Sequence, residues 1–505
     1  MINYIRKILI SSFIIILFFF LIFFLSTNNF PIDRHWSSVY DNELTLAYNA
    51  LLFNSGKLQE FTDHSGYFTI LFLSIFFKII SFFDFLTIYK ISLFNQNNNL
   101  DQDFQNIIYF TRLFGMLSVS LFCLVAFWTF ELFSKNKFLS FLLTIILFLS
   151  LGTHNHFFQL RNELFSMIFL IMAFFSLSLF FLEEKNFITR YLIFFFLFFF
   201  CAILNKAQAF FFLSSMLLII NFIKFEKKVY FNFDNYKFLD NKNASNYLYI
   251  FVILYFLLKL FTATTSFSSI IFISLNVLFI NFFFYIHLKK NDSETNKNLK
   301  IINFLLLISC ILFKFILSAH PSTNEVAFNN TFTDIINNTF KYTITHNENN
   351  KSILYVILDL FIIFKQQFFT IFSTLNYYSF LITTSMLLNF FNKKNKQLIF
   401  FNLSCIISFF LIVSINGLRN AAYYYIFCDF FLILSFTSFS NIFNKKFFLL
   451  LVPILVIIYS LNYPIIKSIV LPQERIKDIC NATYFYDWHK NIPPIRFKEF
   501  CNNNL

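Results

Sequence analysis

The sequence predicts an all-α polytopic membrane protein with about thirteen transmembrane helices, and three observations carry that prediction. Of its 505 residues, 58% are hydrophobic and only 13% are charged, and the mean hydropathy of +0.67 is far above that of a soluble domain. Apolar runs of about 17–25 residues recur along the chain, the length an α-helix needs to cross a bilayer. The cationic residues fall in clusters between those runs, as expected of loops that face the cytoplasm. Phe contributes 88 residues, alongside much Asn, Ile and Lys. All four have A/T-rich codons, so the excess reads as compositional bias and not as an aromatic binding surface. A net charge of +13 would suggest nucleic acid for a soluble chain. Here the clustered loops account for it, and no nucleic-acid motif is present.

The first element joins Arg6 and Lys7 to an apolar run from Ile8 to Leu25. That run is too long for the core of a signal peptide, and a poor cleavage site follows it, so residues 1–26 are expected as a retained first span. Further candidate spans lie at about 107–131, 138–153, 164–182, 187–204, 208–224, 247–264, 268–287, 300–318, 371–391, 398–416, 421–441 and 446–462. The run at about 67–83 decides the topology. If it does not cross, the clusters at Arg6/Lys7, Lys135/Lys137, Lys185/Arg190, Lys224–Lys242, Lys289–Lys300, Lys393–Lys396 and Lys445/Lys446 all share one side. If it crosses, those from Lys135 to Lys300 face outward. The first arrangement is preferred, so the run is expected to lie along the membrane surface. The organisation is then a span at 1–26, an external loop with interfacial helices at 27–106, and spans two to nine within 107–318. An external loop and interfacial helix follow at 319–370, spans ten to thirteen at 371–462 and an external tail at 463–505.

Polar chemistry collects on the predicted outer side, which holds seven of the eight histidines. "DNELTLAYNA" places Asp41 and Glu43 at the start of a helical segment, where a carboxylate is favourable as a cap. "FTDHSGYF" places Asp63 and His64 at the entry of the surface helix, and "HNHFFQLRNELF" places His154, His156, Arg161 and Glu163 in the next external loop. "LNKAQAF" leaves Lys206 in a short external turn between apolar runs. Snorkelling is its plain explanation and a lipid phosphate the specific one. The two histidines of "HNH" without a third ligand read as interfacial loop residues rather than a zinc site. Cys480 and Cys501 both fall in the external tail, where an oxidising compartment predicts a disulfide between them.

Taken in order, these stretches resemble the GT-C superfamily of polytopic glycosyltransferases, which includes aminoarabinose transferase and protein O-mannosyltransferases. The resemblance runs through "DNELTLAYNALLFNSG", "YFTRLFGMLSVSLF" with Arg112, "QLRNELF" and "LNKAQAFFFL", and returns at "NGLRNAAYYYIF" with Arg419. The sequence departs from the family where Asn42 replaces an acidic neighbour, where "HSGY" replaces a Pro-rich helix entry, and where Glu163 stands for an Asp.

The resemblance implies a polyprenyl-phosphate-linked sugar donor, a hydroxyl on a lipid, glycan or protein as acceptor, membrane lipids as surroundings and no nucleic acid. It implies Asp41 as the general base, with Glu43 as helper or substitute. Lys206, Arg161, His64 and Arg419 would neutralise the leaving phosphate. Asp63 and Glu163 could hold a divalent Mg²⁺ or Mn²⁺ with Asp41. The implied location is a bacterial inner membrane, with the N-terminus cytoplasmic and the C-terminus periplasmic. A polytopic transporter or lipid-linked glycan flippase is the alternative, with Lys259, Lys314 and Asp429 as candidate intramembrane charges. An inactive member of the same fold, or a ligase of another polytopic fold, stays open as well.

Overall fold

A computed structural model describes residues 2–29, 32–39, 43–57, 66–95, 99–157, 159–182, 189–206, 292–318 and 425–439, with isolated residues elsewhere, among them 473–474, 480 and 501. Asp41, Asp63, His64, Arg419, most of the loop expected at 319–370 and most of the later spans lie outside the described residues.

The described chain is all-helical apart from one two-residue strand pair. In order it runs α1 (Ile2–Asn29), β1 (Ser38–Val39), α2 (Glu43–Asn54), α3 (Tyr67–Phe82), a 3₁₀ turn (Ile91–Asn95), α4 (Leu100–Ser134) and α5 (Lys137–Phe148). Then come α6 (Leu151–His154), α7 (Asn162–Leu182), α8 (Thr189–Asn205), α9 (Asp292–Ser318), α10 (Tyr425–Ser435) and β2 (Gln473–Glu474). Among the described residues three helices are long and apolar enough to cross a membrane: Ile5–Leu25, Leu100–Ser134 and Asn162–Phe180.

Helices α1 and α4 run antiparallel. Near the start of α1, Ser11 Oγ accepts from Trp128 Nε1 near the end of α4 (3.1 Å). At the other end, Trp36 Nε1 donates to Asp101 (2.6 Å), and Gln105 donates to the carbonyls of Asp33 and Arg34. The segment that leaves α1 therefore returns at the same end to start α4. Between them, α2 and α3 fold into a cap: Asn54 Nδ2 donates to the carbonyls of Ser74 and Tyr89, and Ser55 Oγ accepts from Ile91 N. The sixteen residues of α3 extend only about 24 Å, less than the hydrocarbon thickness of about 30 Å. One side of α3 is buried, while Ile75, Ile79 and Phe82 are exposed.

Three elements differ from expectation, one of them α9, which begins at Asp292 and not at 300. Helix α4 begins at Leu100, not 107, because Asn99 caps it by accepting from Gln102 N (3.2 Å). At 35 residues it reaches about 52 Å, so its first turns project beyond any bilayer core. The span expected at 138–153 breaks at Leu149, because Ser150 accepts from Thr153 N and starts α6 as a new helix. Some Phe residues join helices: Phe72 and Phe114 both stack on Phe165, linking α3, α4 and α7.

Candidate functional site

Two buried carboxylates organise the end of the molecule where α1 finishes. The first is Glu43, the opening residue of α2, with no solvent exposure. Arg34 Nη2 lies 3.2 Å from its Oε1 and Arg112 Nε 3.3 Å from its Oε2. Arg112 also donates to the carbonyls of Ile32 (3.1 Å), Arg34 (2.7 Å) and Ser38 (3.0 Å). Such a fork suits arginine, whose five donors are fixed in one plane. The loop 32–38 is thus wrapped around one guanidinium, and β1 ends two residues before Asp41 in sequence. Glu43 faces two arginines, an arrangement that anchors the start of α2. Arg34 was not singled out from the sequence; the only signal was its place in "IDRHW", between the first span and the acidic pair.

The second carboxylate is Glu163, at the start of α7 and also fully buried. Its Oε1 lies 2.9 Å from Lys206 Nζ and its Oε2 3.3 Å from Arg161 Nε. Lys206 and Arg161 are themselves only 6% and 3% exposed. Three of the residues predicted as site members therefore meet in one ion-paired cluster. Asn205, just before Lys206, ties it to the cap: its Oδ1 accepts from Thr69 N (2.9 Å), and its Nδ2 donates to the Asn162 carbonyl. Its own carbonyl accepts from Gly66 N (3.0 Å). Gly66 has φ +87°, which favours glycine, and a Cβ there would push the Asn162 side chain aside. Gly66 follows Asp63, His64 and Ser65 directly in sequence, so this contact links the second predicted motif to Lys206.

Next to the cluster, His154 and His156 are buried. Burial lowers the His154 pKa from 6.5 to about 3, so this imidazole is neutral. Among the described residues no three His, Cys, Asp or Glu side chains gather as a metal site would require. Both oxygens of Glu163 already face cations, which fits a metal ligand poorly. In the tail, Cys480 and Cys501 are joined by a disulfide.

Fold and composition together define the class: a membrane-embedded helical protein with a buried polar cluster at one end of its bundle. No protein-family model matches the chain, and a comparison with curated proteins finds no match.

Proposed function

We propose that the protein is a membrane glycosyltransferase resembling the GT-C superfamily. It moves a sugar from a polyprenyl-phosphate-linked donor to a hydroxyl of a lipid, glycan or protein acceptor at the outer face. The observation that carries this reading is the meeting of Arg161 and Glu163 from one segment with Lys206 from another, beside the Gly66 entry to α3. Two stretches that resemble the family in sequence, "QLRNELF" and "LNKAQAF", are thereby joined to the entry of α3.

In this reading Asp41 takes the proton of the acceptor hydroxyl as the new C–O bond forms, and the in-line attack inverts the anomeric carbon. Glu43 acts through Arg34 and Arg112 to hold the start of α2. Lys206 and Arg161 stabilise the departing phosphate, and Glu163 is their counter-anion when no donor is bound. His64 and Arg419 complete the cationic lining. A divalent ion, if bound, would add charge to the same phosphate through Asp63 and Asp41. Asp41→Asn is expected to lower transfer by about 10²–10⁴-fold, the usual contribution of a general base, with membrane insertion unchanged. Wild-type transfer in that variant would sink the assignment. Lys206→Ala is expected to weaken donor use more than acceptor use, read from separate titrations, and equal effects would remove its role.

One observation favours the transporter or flippase reading. Asp429 is fully buried in α10, and its Oδ2 accepts from Gly152 N at 3.0 Å, the kind of intramembrane charge transport uses. That reading requires Asp429→Asn, and not Asp41→Asn, to abolish function.

A further inference from the structure

The tail returns to the cap through β1 and β2. Ser38 pairs with Glu474 and Val39 with Gln473 in an antiparallel register. The carbonyl of Ser38 is meanwhile held by Arg34 Nε and Arg112 Nη2, both at 3.0 Å. The loop is thus gripped by the arginine fork and by the tail. Two residues of strand are too few to hold a pair together unaided, so the chain beyond β2 must supply the hold. Six residues after Glu474, Cys480 is bonded to Cys501, closing a separation of 21 residues. Cys501 is buried and joins the apolar core, with Cys480 and Phe497 packed against it. The disulfide therefore fastens the tail to the apolar core six residues beyond β2 in sequence.

We infer that the disulfide-closed tail is a positioning clamp: it holds β2 on β1 and so sets the backbone that leads into Asp41 and α2. Its catalytic consequence rests on the transferase reading. Misplacing a catalytic group by about 1 Å can cost on the order of 10²-fold in rate. Because β2 pairs with the loop that leads to the base, release of the tail is expected to act on kcat and not on donor binding.

The test uses the full-length protein in membranes or detergent, with the pair Cys480→Ser/Cys501→Ser. Hydrogen exchange of residues 32–39 is expected to quicken in this variant, while that of residues 162–182 stays as in the wild type. Unchanged exchange at 32–39 overturns the clamp, as does a uniform rise, which would mean general unfolding. In the same background, Val39→Cys/Gln473→Cys is expected to cross-link under mild oxidation, because opposed antiparallel residues lie within disulfide reach. Failure of the same pair to cross-link with the Cys480–Cys501 disulfide intact overturns the pairing. With a sugar-transfer assay, the serine pair is expected to lose at least ten-fold in kcat with donor KM within two-fold, and the new cross-link to restore kcat. A raised donor KM with unchanged kcat overturns the positioning role. If the wild type transfers no sugar, the transferase reading falls, and the exchange and cross-linking results decide the clamp alone.

Discussion

Arg112 sits within a long apolar helix, yet it is 2% exposed and fully engaged, with one carboxylate and four carbonyls as partners. Removing one member of a buried ion pair leaves the other uncompensated, at a cost of roughly 3–5 kcal/mol. Arg112→Met is therefore expected to lower stability by about that amount, measured by denaturation in detergent. Arg112→Lys is expected to recover little, because an ammonium cannot span carboxylate and carbonyls in one plane. Wild-type stability for Arg112→Lys would show that charge alone matters. The sequence marked Arg112 through its family resemblance, but not its partners. Glu43 reads as a catalytic helper from its position next to Asp41; its two arginine partners become visible only when the loop and α4 are brought together.

Among elements, glycines report which helices must approach closely. A Cβ on Gly152 would collide with the Ile426 backbone and the Asp429 carboxylate, so α6 and α10 meet only because that position has no side chain. Gly152→Ala is expected to cost about 1–3 kcal/mol, the usual penalty of overpacking. Gly56 also has a positive φ of +68°, but nothing lies within 4 Å of an added Cβ. Gly56→Ala is then expected to cost only backbone strain, about 1–2 kcal/mol. Thermal unfolding of both variants checks the contrast, and a larger loss at Gly56 would refute it. The apolar runs at 138–153 and 164–182 were legible as helices because hydropathy is a local property. The break at Leu149–Ser150 was hidden, because one capping serine within an apolar run changes hydropathy very little.

For the whole molecule, parity is the testable property. The start of α4 lies beside the loop that leaves α1, and the turn after α4 lies at the opposite end. Exposed Gln102 and Lys137 therefore lie at opposite ends of α4. In intact cells, a membrane-impermeant maleimide is expected to label Gln102→Cys and not Lys137→Cys. Labelling of both, or of Lys137→Cys alone, would reverse or break the arrangement. Charge clustering along the chain points to the same parity, since even crossings between residues 26 and 107 keep every cationic loop on one side.

By itself the sequence determined the membrane class and the helical make-up. Each follows from local composition: how a short stretch partitions between water and lipid depends on its own residues. The tertiary structure alone decided which charges are partners. Glu163 finds Lys206 across two helices, Thr69 finds Asn205 at a separation of 136 residues, and Gly152 finds Asp429 at 277. The tail's β2 finds β1 from the far end of the chain. Such pairings depend on the angles and depths at which helices pack, and a buried charge must meet its partner in space whatever its distance in sequence.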